Sequence, residues 1–191
     1  MIFDGIDGIQ LGAYSDSDWA GDLYDQKSTT SSYIMIAGGP VLWKSIKQTG
    51  VSLLSTEAEY IAALETAKNV IIIRGILIKL GIIDDEFSFP LMINNAGSIA
   101  ISNGEKVTQN AYYIEIRYHH IWDLVQKRTI ELLQIPSNEM VADGLMKMLK
   151  IMKFREFRNL LGLHLKTQAE IEFTDNRADN RTDNRADEEL D

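Results

Sequence analysis

At 191 residues the chain fits one domain plus appendages, and 45% hydrophobic with 25% charged residues is ordinary globular composition, enough for a sizeable core. It has no cysteine, which excludes disulfides, thiolate nucleophiles and cysteine-ligated zinc or iron–sulfur sites. Nineteen basic against 28 acidic residues leave a net charge of −9. That argues against a freestanding, non-specific nucleic-acid binder but not against an enzyme whose carboxylates hold cations.

The start, Met1-Ile2-Phe3-Asp4, has neither a basic segment nor an apolar run of signal-peptide length, so an intracellular location is expected, cytoplasm and nucleus undivided. Residues 9–16 read as a strand ending in polar residues, and 22–30 as a polar loop. Residues 32–37, 41–44 and 51–54 are short β-type runs, separated by Gly38-Gly39-Pro40 and by Gln48-Thr49-Gly50. Together they suggest an antiparallel meander.

A long helix is expected over residues 57–80, since Tyr60, Leu64, Ala67, Ile71 and Ile78 recur at helical spacing and Gly81 supplies a stop. Its most apolar part, residues 70–83, is broken by Arg74 and Lys79 and is too short to span a bilayer. Residues 87–94 read as a strand, 97–102 as a short helix, 113–127 as a helix and 129–135 as a strand. Residues 138–161 read as helical with a break near Lys150. This order describes a mixed sheet with helices packed on it. From Thr174 the sequence runs TDNR-ADNR-TDNR-ADEE, with three arginines against seven acidic residues to the end, a net −4. Such a segment buries too little to offset its ordering entropy, so residues 1–165 are expected to fold and 166–191 to form a disordered acidic repeat tail.

Three sets of acidic residues stand at element ends. Strand alternation puts Tyr14, Asp16 and Asp18 on one face, and an aspartate buried there requires a partner or a metal; both also suit the start of a polar loop. Glu57 and Glu59 open the long helix, where Thr56 with Glu59 makes a capping box and two acids suit the helix dipole. Asp143 falls in the terminal helix ahead of Lys147 and Lys150, as it would on a solvated face. Carboxylates from three separate elements are also what a site for hard divalent cations needs.

These stretches resemble the ribonuclease H domain of copia-type retrotransposon Pol polyproteins. The resemblance rests on YSDSDWAGD from Tyr14, KSTTSSYI from Lys27, VLWKSIKQTGVSLLSTEAEYIAAL from Val41, YIEIRYHHIWDLV from Tyr113 and VADGLMK from Val141, in order over residues 11–149. It implies an α/β, ribonuclease H-like fold: a five-stranded mixed sheet with flanking helices. It further implies hydrolysis of the RNA strand of RNA–DNA hybrids by a two-metal mechanism with Mg²⁺ or Mn²⁺. By position, the family's metal-binding catalytic acids match Asp16, Glu59 and Asp143. Asp18 and Glu57 stay loop and cap residues.

The fourth carboxylate is missing: Asn94 in Leu91-Met92-Ile93-Asn94-Asn95-Ala96 stands where the family has aspartate. One unit of cation-binding charge is lost, and removing a transition-state-stabilising group costs ~10²–10³ in rate, so activity is expected to be impaired or lost. Other departures agree: Tyr112-Tyr113 replaces Lys-His, and Met146-Lys147-Met148-Leu149 replaces Thr-Lys-Pro-Leu. The alternatives are a non-catalytic hybrid- or nucleic-acid-binding module and a relic interaction domain whose acidic tail recruits basic partners. His119 and His120 are adjacent and cannot chelate at i, i+4; one is expected at the helix–sheet seam and one exposed. Lys147, Lys150, Lys153, Arg155 and Arg158 against Glu156 could meet a phosphate backbone, or form a solvated face with Met148, Leu149, Met152 and Phe157 inward. Trp19 and Trp43 are expected in the core.

Overall fold

The computed structural model describes residues 10–94, 115–161 and 163, and for 115–119 the backbone alone. The expected helix at 97–102, the tail and the domain boundary at 165 lie outside the described residues. Five strands are formed: β1 (Leu11–Asp18), β2 (Thr29–Ile36), β3 (Gly39–Lys47), β4 (Phe89–Ile93) and β5 (Ile130–Gln134). Helices α1 (Ser55–Lys79), α2 (Glu115–Gln126) and α3 (Ile151–Leu160) accompany them, with a 3₁₀ turn at Val141–Leu145.

The strand order is β3-β2-β1-β4-β5. The pairs β1–β2 and β2–β3 are antiparallel, while β1–β4 and β4–β5 are parallel. At the β2–β3 turn Ile36 pairs with Gly39, and Ala37 and Gly38 carry φ of 49° and 76°. A two-residue hairpin whose twist matches its strands needs positive φ at both central positions, which Gly38 takes freely and Ala37 under strain. The expected meander is present, but its strands are β1, β2 and β3. Residues 51–54 are no strand: after β3 the Gln48 amide donates to Thr30 Oγ1 at 3.0 Å and to the Ala58 carbonyl at 2.9 Å, drawing the chain straight into α1.

Helix α1 begins without the expected Thr56–Glu59 box. Leu54 is the N-cap, with no side-chain cap bond, and Glu57 Oε2 accepts the Leu53 backbone N–H at 2.8 Å instead. The far end matches the sequence: the Gly81 N–H reaches the Ile78 carbonyl and the Ile82 N–H that of Leu77, both at 2.9 Å, with Gly81 at φ 68°. This Schellman arrangement needs a left-handed residue, which glycine supplies without a Cβ clash.

Ala58, Ala62, Ala63 and Ala67 give α1 a flat buried stripe, so it lies close on β1 and β2. The core under it joins Ala13, Ile34, Tyr60, Leu64, Val70, Leu77, Leu91 and Ile93 with Ile121 and Leu124 of α2. A buried polar pair beside it is satisfied: the hydroxyls of Ser32 and Thr66 lie 2.6 Å apart, and Thr66 donates to the Ala62 carbonyl at 2.9 Å. Edge strand β3 differs, presenting Val41, Trp43 and Ile46 to solvent beside Lys44 and Lys47. Trp43 is 60% and Trp19 48% exposed, so the expectation of core tryptophans fails. On an edge strand the alternating side chains have no second layer to cover them.

Candidate active site

The face of β1 turned away from α1 carries Tyr14, Asp16 and Asp18, as alternation predicts, with Asp18 still on the strand rather than in the loop. Asp16 sits opposite Ser31 of β2 and is only 2% exposed. Parallel pairing of Tyr14 with Met92 sets Asn94, two residues on, beside it. The Asn94 amide donates to Asp16 Oδ1 at 3.3 Å. Where the resemblance implies a carboxylate, this chain turns an N–H toward Asp16.

Asp143 arrives from the other end of the chain. The residues expected to be helical with a break near Lys150 form the 3₁₀ turn and α3, whose N-cap is Lys150, with Asp143 in the turn. The Ser31 hydroxyl donates to the Ala142 carbonyl at 2.7 Å, fixing that turn to β2 next to Asp16. Lys147, one helical turn on, brings its ammonium against Asp143 Oδ1 and to 3.6 Å from Asp16 Oδ2. Asp16 Oδ2 is buried and has no hydrogen-bond partner among the described residues. Burial pushes the Asp16 carboxyl up to about 8; neighbouring Asp143 adds to the push, and Lys147 and the Ser17 backbone oppose it. Burial would raise Asp143 too, but Asp16 and Lys147 together hold it below the usual range. Burial would lower the Lys147 ammonium, and the two aspartates more than offset that.

Asp16, Asn94 and Asp143 therefore meet as the sequence implies. Glu59 stands half-buried in the second turn of α1, and no group of three or more His, Asp or Glu that could hold a metal forms among the described residues. The orphaned Asp16 Oδ2 is an oxygen suited to a hard cation, yet Asn94 faces its neighbour with a donor and an ammonium already touches both aspartates. This donor set does not fit a divalent metal centre as it stands. Lys147, noted in the sequence after Asp143 and in a basic face, was not expected to enter the site. Its i, i+4 spacing from Asp143 was the available signal.

The surroundings are sparsely packed. No residue of α3 is buried; Met148 is fully exposed and Met152 67% exposed, against the expectation that both turn inward. The Phe157 ring lies so close over Gly144 that a Cβ there would overlap it, and this contact ties α3 to the turn. Lys150, Lys153 and Arg155 are exposed, and Arg158 is half-buried. His120 is exposed, as one histidine was expected to be, and the His119 side chain lies outside the described residues. On the opposite face of the sheet a cleft of about 400 Å³ opens between β3 and α1, lined by Thr30, Ser32, Lys44 and Lys68 among others.

No protein-family model matches the chain. It is 35% identical over 164 residues, 86% of its length, to the retrovirus-related Pol polyprotein from transposon TNT 1-94 of Nicotiana tabacum. To the corresponding polyprotein from transposon RE2 of Arabidopsis thaliana it is 32% identical over 157 residues, 81% of its length. The chain spans 12% and 11% of those two relatives. Its fold is similar to that of LC11-RNase H1, solved in complex with an RNA/DNA hybrid, at a TM-score of 0.54 and 16% identity over 71% of this chain and 93% of that one. A five-stranded mixed sheet with the ribonuclease H fold, on a sequence shared with those polyproteins, makes this chain a member of the copia-type retrotransposon Pol family.

Proposed function

We propose that the chain is a retrotransposon-derived ribonuclease H-like domain that binds RNA–DNA hybrid while its hydrolytic chemistry is impaired. The activity in question is two-metal cleavage of the RNA strand, with Asp16, Glu59 and Asp143 as the carboxylates and Mg²⁺ or Mn²⁺ as the ion. The observation that carries the reading is the Asp16 environment: an amide donor from Asn94 on one oxygen and the Lys147 ammonium near the other. Both groups favour an aspartate left to itself over one shared with a dication. Exposed Lys153 acts on Asp143, and with exposed Lys150 and Arg155 close to it in sequence it suits a phosphate backbone. The hybrid bound to LC11-RNase H1 supports the choice of ligand by resemblance.

The test is cleavage of a labelled hybrid with Mg²⁺ and with Mn²⁺, beside a salt-dependent binding measurement. The parent chain is expected to bind without efficient turnover. Asn94→Asp is expected to gain metal-dependent cleavage, and Asn94→Asp combined with Asp16→Asn to lose it. Efficient turnover by the parent, abolished by Asp16→Asn, would refute the impaired reading. Absence of hybrid binding at low salt would favour a relic interaction domain instead.

A further inference from the structure

The ammonium of Lys147, which falls at the lysine of the Thr-Lys-Pro-Leu stretch, enters this site. It touches Asp143 Oδ1 and lies 3.6 Å from Asp16 Oδ2, an oxygen that is buried and has no hydrogen-bond partner among the described residues. Its position follows from local structure. Asp143 and Lys147 are four residues apart, and the Lys147 N–H bonds the Asp143 carbonyl at 3.1 Å, so the two side chains leave the backbone on one side. The turn that carries them is held on β2 by the Ser31–Ala142 bond. The lysine side chain is 44% exposed, so it reaches the pair from solvent and has space to withdraw.

We propose that Lys147 is the resident cation of the Asp16–Asp143 pair, standing where these side chains would hold a divalent ion. It holds the C-terminal turn against the sheet without a metal, and an incoming ion has to displace it. Asn94 strengthens the exclusion by donating to the other Asp16 oxygen, so that a metal would have to replace two contacts of one side chain. Lysine suits this exchange: a compact point charge on a flexible stem pairs with Asp143, reaches Asp16 and still leaves by rotamer change. Removing a competing unit charge at this range corresponds to a change of about tenfold or more in dication affinity.

The inference deepens the functional reading and rests on it only for which carboxylates form the site. Its test is metal binding and thermal melting of the full 191-residue chain, comparing parent, Lys147→Gln and Lys147→Arg by Mn²⁺ paramagnetic resonance and by melts in EDTA or MnCl₂. The parent is expected to gain less in melting temperature on going from EDTA to MnCl₂ than Lys147→Gln does. Lys147→Gln is expected to melt lower in EDTA, to recover in MnCl₂ and to bind Mn²⁺ about tenfold or more tightly than the parent. Lys147→Arg, which keeps the charge, should follow the parent. Mn²⁺ binding by Lys147→Gln no tighter than by the parent would overturn the proposal, as would an arginine variant that behaves like the glutamine one.

The parent gives a readout that needs no variant. With reductively ¹³C-methylated lysines, Mg²⁺ binding should move the Lys147 resonance ahead of the other lysines, and binding that leaves it in place would overturn the proposal. Efficient cleavage by the parent would refute impairment and leave this exchange standing. Indifference of metal affinity to Lys147 would do the reverse.

Discussion

The α1-covered face of the sheet and the C-terminal segment on its opposite side are built by different means. Under α1, a continuous apolar layer from Ala13 to Ile130 fixes β1, β2 and β4, and its polar Ser32–Thr66 pair is mutually satisfied. The segment from Val141 onward buries Val141 and Ala142, then hangs on the Ser31 hydroxyl, the Phe157–Gly144 contact and the Lys147 ion pairs. One aspartate of the site therefore stands on the rigid body and the other on a lightly anchored arm. The spacing between them is set by the arm, and few contacts defend it.

Substitutions that act on the body and on the arm should separate these two layers. The largest effect is expected at Leu91, fully buried beneath α1, where Leu91→Ala should cost about 2–5 kcal/mol in denaturant melts. A loss below about 1 kcal/mol would mean that the sheet tolerates a void there.

Ser31→Ala comes next: it leaves the Ala142 carbonyl buried and unpaired, for about 1–3 kcal/mol, and should loosen Asp143. Hydrogen exchange in residues 141–145 should rise while that of α1 stays unchanged; equal acceleration in both would erase the distinction.

A smaller effect comes from pH. Asp16 holds its proton up to about pH 8 in the folded state, whereas the unfolded chain releases it near the ordinary aspartate value of 3.8. The folded state thus binds more protons in that window, and stability should fall as pH rises from about 4 to about 8. Asp143, held below the usual range, contributes in the opposite sense only at more acidic pH. Urea midpoints for the parent should decline across the window and flatten in Asp16→Asn; parallel pH slopes would place the titrating group elsewhere.

The smallest effect on global stability is expected from Phe157→Ala, at about 1 kcal/mol or less, because no residue of α3 is buried. Limited proteolysis should nevertheless cut α3 sooner, since its contact with Gly144 is gone.

The sequence was most legible where periodicity and backbone chemistry coincide. Alternation in β1 set Asp16 on the right face, and Gly81 marked the end of α1 because the closing turn needs a left-handed residue. Composition was silent about partners far apart in the chain. Nothing local says that Ser31 bonds the Ala142 carbonyl 111 residues away, the contact that fixes the 3₁₀ turn ahead of the break at Lys150. Edge position was equally hidden, and it turns Trp43 outward although tryptophan is more often covered. At the helix start two first-turn acids competed for one role. Glu57 took the cap because its side chain reaches back to the Leu53 N–H, leaving Glu59 to the helix body.

The exposed row on β3 has a consequence for the behaviour of the chain at high concentration. An outermost strand with open backbone donors and acceptors and with Val41, Trp43 and Ile46 uncovered is a template for another strand to zip onto. Lys44 and Lys47 on the same strand, with Pro40 at its start, work as gatekeepers, because stacking two such edges would crowd like charges and meet a residue that cannot donate. Lys47 is already drawn toward Asp22 and Asp25, at 2.5 and 3.0 Å, which blunts its charge. The burden of keeping copies apart then falls on Lys44.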